Sequence, residues 1–201
     1  MKLEVPFFKQ TDQLNCGTYA LKMVLAFLGE DLGIGVLDER AGVKEGKGSY
    51  TIQIAIATTS LGHRTCFYSK NISFNEENFK LDFYKKYSPL DLQQSQQLIE
   101  KGKAAGIHIQ QRTLSLEELL SFVSEDSIPI VLIDWNVIRN RRERGYHGHF
   151  VPIVGFDEQN VYMHNHGLND PQEFMQVKKE ILDKARREQG TDEDVVIIYR
   201  K

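Results

Sequence analysis

The sequence predicts an α+β protein in which a helical N-terminal half packs on an antiparallel sheet formed by the second half. Up to about residue 125 the apolar residues recur mainly at helical spacing. From residue 126 they occur in short, nearly continuous runs bounded by turn residues, which is typical of buried strands. We therefore expect one domain over residues 1–201, with a helical lobe over about 1–125, a sheet lobe over about 126–201 and a cleft between them.

The first strongly periodic segment predicts a helix that contains Cys16 in its first turn. Its apolar residues fall on one helical face, and the segment then reaches Gly29, a residue type that commonly ends helices. Asn15 occupies the position before Cys16, where helices favour a capping side chain. The residues of the apolar face are Ala20, Leu21, Val24, Leu25 and Leu28.

The rest of the first half adds helices and one strand. We expect a short helix over 37–41, a second long helix over 51–61 and a strand over 64–68. The charged, Gln-rich stretch 75–103 has helical spacing and predicts two exposed helices. Ser115 is followed three residues later by a Glu, which resembles a capping box at the start of a further helix.

The second half predicts the strands of the sheet. The nearly continuous apolar run 128–135 indicates a buried strand. Segments 150–156 and 160–163 form a predicted hairpin across a three-residue turn. An amphipathic helix is expected over 177–187, and a final strand over 195–199.

Composition and charge exclude several classes of function. The 201 residues carry a net charge of −3, which gives no general attraction to nucleic acid or to anionic membranes. No apolar stretch approaches the roughly 18 residues of a membrane span, and the start MKLEVPFFKQ lacks the pattern of an export signal. Two cysteines, Cys16 and Cys66, are too few for a disulfide framework. We therefore predict a cytoplasmic protein in which both cysteines are thiols.

Cys16 is the first candidate catalytic residue, because a thiol at a helix N-terminus feels the partial positive charge that favours thiolate. Cysteine catalysis also needs a His to exchange the proton and a third group to hold the imidazole. His149 lies at the start of a predicted core strand, and Asn165 ends the next one. Antiparallel pairing of these strands is expected to place Asn165 beside His149.

The separations of these residues agree with papain-like sites. His149 follows Cys16 by 133 residues and Asn165 follows it by 149, where papain-like enzymes place the partners about 130 to 150 residues downstream. Gln10 precedes Cys16 by six residues. A Gln at that offset in papain-like sites donates its side-chain amide to the oxyanion, together with the backbone N–H of the nucleophile.

Several segments resemble the peptidase C39-like group of papain-like cysteine peptidases. VPFFKQTDQLNCGTYALKMVLAFLG is similar to the start of that group, where Val-Pro and a Gln precede an Asp-Cys-Gly helix start. HFVPIVGFDEQNVYMHN is similar to the two strands that carry its His and its orienting residue. The C-terminal GTDED and the strand VVIIY resemble more closely the guanylyl-cyclase-domain-containing family of plants and animals, which is itself C39-like.

This resemblance implies a papain-like cysteine protease fold and a cysteine peptidase-like hydrolase with the four catalytic residues already given and no cofactor or metal. The chain departs from the group at Asn15 and Asn165, where Asp is usual, and at His166, where Pro is common. An Asn can still accept the imidazole N–H through its amide oxygen. C39 domains of bacteriocin exporters cut double-glycine leaders while fused to a transporter, and no transporter is present in this sequence.

Three other interpretations stay open from the residues alone. The chain could be a papain-fold binding module without turnover. The four histidines at 147, 149, 164 and 166 form two His-x-His pairs that could hold zinc, although no further ligand obviously converges on them. A nucleotide cyclase would need metal-binding carboxylates and a phosphate cradle, and the sequence contains no P-loop motif.

The substrate is only loosely defined by the sequence. Four arginines, at 139, 141, 142 and 144, precede His149 with one acidic residue, Glu143, among them. They predict either a basic rim of the cleft that favours an acidic peptide or protein, or a solvated loop. The same four catalytic residues would serve a peptidase, an amide or isopeptide hydrolase, or a transferase that uses an amine acceptor.

Overall fold

The computed structural model describes residues 1–44, 46–73, 75–88 and 92–201. The helices are α1 (Cys16–Phe27), α2 (Ile34–Ala41), α3 (Thr51–Ser60), α4 (Asp82–Tyr87), α5 (Leu92–Ala104), α6 (Leu116–Ser121), α7 (Trp135–Ile138) and α8 (Lys179–Arg186). Short 3₁₀ helices cover Glu76–Lys80 and Arg142–Arg144. No helix in these ranges is long and apolar enough to cross a membrane.

The strands form one sheet across the described residues. They are β1 (Thr65–Ser69), β2 (His108–Gln111), β3 (Ser127–Asp134), β4 (Gly148–Phe156), β5 (Asn160–Asn165), β6 (Gln172–Lys178) and β7 (Val195–Tyr199). Their order is β2-β1-β7-β3-β4-β5-β6. β1 and β2 pair in parallel, and the other neighbours pair antiparallel.

Both faces of the sheet are covered at its centre. Every residue of β3 is buried, and since successive side chains of a strand point to opposite faces, helices must lie on each side. α1 packs against β4 and β3, α3 packs against α1, β1 and β7, and α8 packs against β3. α1 and α3 therefore share one face of the sheet.

The predicted α+β class is confirmed, and most predicted elements are present. The helix that begins at Cys16, the helix over 51–61 and the hairpin of β4 and β5 lie where the periodicity placed them. Ser115 caps α6 by accepting a hydrogen bond from the N–H of Glu118. The stretch 75–103 contains α4, α5 and a 3₁₀ helix, but positions 89–91 lie outside the described residues.

Some element predictions were wrong. The helix expected over 177–187 begins only at Lys179, because Val177 belongs to β6 and pairs with Val161. β6 is largely polar and exposed, as suits the outermost strand of the sheet, so it has no apolar alternation to reveal it. β2, the strand at the other edge of the sheet, was not predicted for the same reason.

The sheet also draws on more of the chain than the two-lobe division supposed. β1 and β2 come from the first 125 residues and join the sheet through β7. The single domain over 1–201 stays a prediction. For the site, the important consequence is that the first residue of α1, the start of β4 and the end of β5 all line one cleft.

Candidate active site

Cys16 is the first residue of α1 and is half-buried. Asn15 precedes the helix, and its carbonyl accepts hydrogen bonds from the N–H of Tyr19 at 3.0 Å and from the hydroxyl of Thr18 at 3.2 Å. The Asn15 side chain does not cap the helix but turns back to the backbone N–H of Asp12, at 3.3 Å. The N–H groups of the first turn are thus left free to face the thiol.

The protonation state of Cys16 differs from the thiolate that the sequence led us to expect. Burial raises its pKa above the ordinary value, although the backbone N–H groups of Phe150, Gly17 and Cys16 itself donate toward the sulfur and oppose the rise. Desolvation of the charged form outweighs the helix N-terminus. In the resting protein Cys16 is therefore a neutral thiol at neutral pH.

His149 lies on β4 opposite Ile133 of β3 and is 6% exposed. Its ring stands edge-on to Trp135, with 5.3 Å between the ring centroids. Burial holds the pKa of His149 well below its ordinary value, the charges of His166 and His147 lower it further, and a hydrogen bond with Asn165 opposes the fall. His149 is therefore neutral above mildly acidic pH and can accept a proton.

Asn165 ends β5 with its side chain beside the ring of His149. Its Nδ2 donates to the carbonyl oxygen of Asp170, and its Oδ1 accepts from the N–H of Gly167 at 3.3 Å. This fixes the amide so that Oδ1 is the atom available to an imidazole N–H. His149 Nε2 is buried and has no well-aligned hydrogen-bond partner among the described residues, so the contact with Asn165 is loose.

Gly167 allows this approach. A Cβ at position 167 would lie 3.3 Å from Asn165 Oδ1 and 3.9 Å from His149 Cε1. The first of these distances is tighter than ordinary van der Waals contact, so a side chain at this position would push Asn165 away from the imidazole. The chain therefore keeps the space between the amide and the ring open with a glycine.

Gln10 lines the same cleft and is 5% exposed. Its backbone N–H donates to the carbonyl of His166 at 3.0 Å, and its Nε2 donates to the carbonyl of Asp12 at 2.7 Å. Oε1 is buried without a partner in the described part of the chain. Because an amide nitrogen carries two hydrogens, Nε2 keeps one donor beyond its bond to Asp12.

His166 is the site residue that sequence reasoning left without a role. Its Nε2 lies 2.8 Å from the carbonyl oxygen of Cys16, and since a carbonyl only accepts, Nε2 carries the proton. Its ring centroid is 5.0 Å from that of His149, and its own carbonyl holds Gln10. Burial first of all lowers the pKa of His166 to about 4, so the ring is neutral at pH 7. The sequence signal that could have pointed to His166 was its position directly after Asn165.

We predict that His166→Phe slows alkylation of Cys16 about tenfold or more, because small displacements of reacting groups are costly. Gln at position 166 can replace the Nε2–H donor and is expected to restore most of the rate. A folded His166→Phe variant that reacts at the wild-type rate would contradict this role.

The other two candidate histidines have different surroundings. His164 is fully buried, its Nε2 lies 2.8 Å from the carbonyl oxygen of Val5, and its Nδ1 accepts from the N–H of Phe174 at 3.1 Å. Both ring nitrogens therefore serve the backbone and neither is available to a metal. His147 is exposed and its ring contacts Phe83, with 5.5 Å between centroids.

A cleft of about 580 Å³ joins all four predicted catalytic residues. Its rim includes part of the arginine loop: Arg139 pairs with Asp170 at 2.6 Å, whereas Arg141 and Arg144 line the cleft as exposed side chains. Arg142 is turned toward Glu188, at 2.6 Å, and does not line it. Arg139 and Arg142 are thus held by close ion pairs, Arg144 lies 4.0 Å from the exposed Glu143, and Arg141 and Arg144 both line the cleft.

Solved structures with the same architecture define the class of fold. A protein from Bacillus anthracis described as a C39-like peptidase superposes with a TM-score of 0.61 at 14% identity, covering 100% of this chain and 98% of its own. The peptidase domain of Streptococcus ComA, a bi-functional ABC transporter, gives a TM-score of 0.54 at 14% identity, with 98% and 100% covered. A double-glycine-motif protease from an AMS/PCAT transporter, in complex with the leader peptide, gives a TM-score of 0.51 at 16% identity, and the match covers 99% of this chain and 93% of that one. The chain therefore has the papain-like fold of C39 peptidase domains.

The sequence comparison identifies the family within this fold. The sequence model of the family described as guanylylate cyclase matches residues 5–198. Guanylyl cyclase 1 of Arabidopsis thaliana is 25% identical over 212 residues, which span 98% of this chain and 76% of the plant protein. The chain belongs to this guanylylate cyclase family, as the resemblance of its C-terminal segment indicated.

Proposed function

We propose that this chain is a thiol-dependent hydrolase of amide bonds in peptides or proteins, with Cys16 as nucleophile. The observation that carries the proposal is that the Cys16 thiol, at a helix N-terminus, lines the same cleft as a buried, neutral His149 backed by Asn165. Nucleophile, base and orienting group are the three parts that thiol catalysis requires. The C39 fold supports this chemistry.

The reaction follows from these protonation states. His149 takes the Cys16 proton as the thiolate attacks the substrate carbonyl, and the resulting imidazolium is stabilised by Asn165. The oxyanion is held by the backbone N–H of Cys16 and by the second N–H of Gln10 Nε2, the one not bonded to Asp12. His149 then gives its proton to the leaving amine, and a water that His149 activates hydrolyses the thioester. An amine in place of that water would make the enzyme a transferase.

The substrate is proposed to be a peptide with acidic residues near the scissile bond. Arg141 and Arg144 present two guanidinium groups to the cleft, which favour carboxylates. A protease of the same fold is known in complex with a leader peptide, which supports a peptide rather than a small metabolite. We place the protein in the cytoplasm, where Cys16 stays reduced, and we propose no role in binding nucleic acid or membranes.

The direct test is alkylation with iodoacetamide, read residue by residue by mass spectrometry. We expect Cys16 to react at least about ten times faster than Cys66, which is 7% exposed on β1 and serves as an internal control. Because the pKa of the Cys16 thiol is raised, its rate should climb with pH beyond the range of an ordinary thiol. Equal labelling of both cysteines would refute the assignment of the nucleophile.

Two competing functions are tested with the same variants. A binding module without turnover predicts a partner recovered equally well by wild type and Cys16→Ala, together with no thiol-dependent hydrolysis. A nucleotide cyclase, which the names of the family and of the Arabidopsis relative suggest, predicts cyclic GMP formation from GTP with Mg²⁺ or Mn²⁺. Cyclase activity that survives Cys16→Ala would replace the hydrolase proposal.

A further inference from the structure

A second group of side chains lines the same cleft as Cys16. We infer that this group, formed by Asp194, Thr51 and the rings of Tyr84 and Tyr146, is a subsite for the ammonium or guanidinium group of a substrate side chain. The inference rests on the proposed function for the reaction itself, because it assigns a Lys or Arg residue next to the bond that is cut. Binding of the cation does not depend on that chemistry.

The position of Asp194 relative to the nucleophile follows from the register of the sheet. Asp194 directly precedes β7, and its carbonyl accepts from the N–H of Leu132 on β3 at 3.1 Å. Leu132 pairs with Phe150 on β4, next to His149. Asp194 is therefore two strands away from Phe150, or about 10 Å at ordinary strand spacing. An extended Lys or Arg side chain covers a comparable distance.

Two buried polar atoms in this part of the cleft are poorly satisfied, although the Thr51 hydroxyl lies close enough to the Asp194 carboxyl to lower its pKa. Asp194 Oδ1 and Thr51 Oγ1 are both inaccessible to solvent and have no well-aligned hydrogen-bond partner among the described residues. Thr51 is 2% exposed and begins α3. Buried polar atoms without well-aligned partners cost stability, and a ligand carrying several N–H donors would add the hydrogen bonds that both atoms lack.

The aromatic rings complete a site suited to a cation. Tyr84 and Tyr146 stack at 5.5 Å between centroids with 13° between their planes, and both line the cleft. Burial is the main cause that raises the pKa of both phenols, and the charge of Asp194, which lines the same cleft, is a lesser one. Ring faces beside a carboxylate are the surroundings in which ammonium and guanidinium groups bind.

No Lys or Arg of the described residues forms an ion pair with Asp194. Asp192 is held by the side-chain amides of Asn71 and Asn78, each at 2.8 Å, and is counted among the groups that raise the pKa of Asp194. Burial is the larger cause. Burial and the charge of Asp192 together raise the pKa of Asp194 to about 8, although hydrogen bonds from the hydroxyls of Ser69 and Thr51 lower it. Because the Asp194 carboxyl is then largely protonated at pH 7, a bound cation favours its ionised form, since the ammonium or guanidinium charge offsets both the burial of the carboxylate and the repulsion from Asp192.

Substrate-like electrophiles test the subsite through Cys16. We would measure alkylation of Cys16 by acyloxymethyl ketones of Ac-Ala-Lys, Ac-Ala-norleucine and Ac-Ala-Glu. We expect the Lys compound to react at least about tenfold faster than norleucine, and that preference to vanish in Asp194→Asn. Asp126→Asn is the matched control, because its side chain is 85% exposed and the same charge is removed. A Lys preference that persists in Asp194→Asn, or that is absent from wild type, overturns the subsite.

A binding measurement separates this inference from the proposed hydrolase. Calorimetric titration with n-pentylammonium should show binding that tightens between pH 7 and pH 9, as the Asp194 carboxyl ionises, whereas n-pentanol should bind weakly at both. Thr51→Val should weaken the amine with less effect than Asp194→Asn. If wild type does not bind the amine, the subsite is wrong; if it binds while Cys16 is unreactive, the hydrolase proposal fails and the subsite stands.

Discussion

His149→Ala is expected to slow thiol-dependent hydrolysis, and alkylation of Cys16 by substrate-like electrophiles, by about 10² to 10⁴-fold, the usual contribution of a general base. The effect is large because the resting pair is a neutral thiol and a neutral imidazole, so no preformed thiolate remains when the base is removed. The measurement is the second-order rate constant with a peptidyl ketone at pH 7, followed up to pH 10. Alkaline pH should partly restore the rate.

His108→Ala provides the control for this experiment. His108 is exposed on β2, at the far edge of the sheet from β4, and does not line the cleft. Its replacement should leave the rate constant within about twofold of wild type. A His149→Ala protein that is folded and reacts like the His108 variant would exclude His149 as the base, and Cys16 would then need another proton acceptor in the cleft.

Asp194→Asn is expected to stabilise the protein progressively as pH rises from about 4 to 8. A carboxyl whose pKa is raised by folding contributes stability below its ordinary pKa near 3.8, and this contribution is lost as pH rises to the folded pKa of about 8. Asn does not titrate, so the difference in the free energy of unfolding between the variant and the wild type should widen over that pH range. It should reach as much as about 5 kcal/mol, since one pKa unit corresponds to about 1.4 kcal/mol.

Urea unfolding at pH 5, 7 and 9 measures this gap, with fluorescence from Trp135, the single tryptophan of the chain, as the probe. Asp126→Asn again serves as the control and should show no comparable dependence on pH. A constant difference between Asp194→Asn and wild type across the three pH values would mean that Asp194 is already ionised in the folded protein. If Asp194→Asn stabilises the protein, the wild-type carboxyl is unfavourable for folding, as expected of a residue that is retained because it binds a ligand.

The name of the family and the fold suggest different chemistries. The family takes its description from guanylyl cyclisation, whereas the solved structures of the same fold are described as peptidases. A cleft that combines a helix-terminal thiol, a buried imidazole and an orienting amide has the groups for acyl transfer. The variants at Cys16 and His149 test that chemistry directly, and GTP turnover tests the other.

Local patterns in the sequence were sufficient for the parts of the site that sit on regular elements. Cys16 was placed because the helical periodicity after Asn15 defines where α1 begins, and His149 and Asn165 were placed because two apolar strands flank a short turn. Each of these inferences depends only on contacts between residues near one another in sequence or joined by a tight hairpin. The α+β class follows from the same patterns.

Other features depend on contacts that no local pattern contains. The pKa of Cys16 is raised because α1 buries the thiol against β4, and burial outweighs the helix terminus that the sequence showed. His166 lies in the candidate site only because its ring reaches a carbonyl 150 residues earlier in the chain. Asp194 joins the cleft because β7 inserts between β1 and β3. Local patterns in the sequence predicted most of the helices and strands, though not β2 and β6, together with the candidate catalytic residues; the tertiary structure decided the protonation states and the neighbours of those residues, because desolvation and long-range contacts exist only once the sheet is assembled.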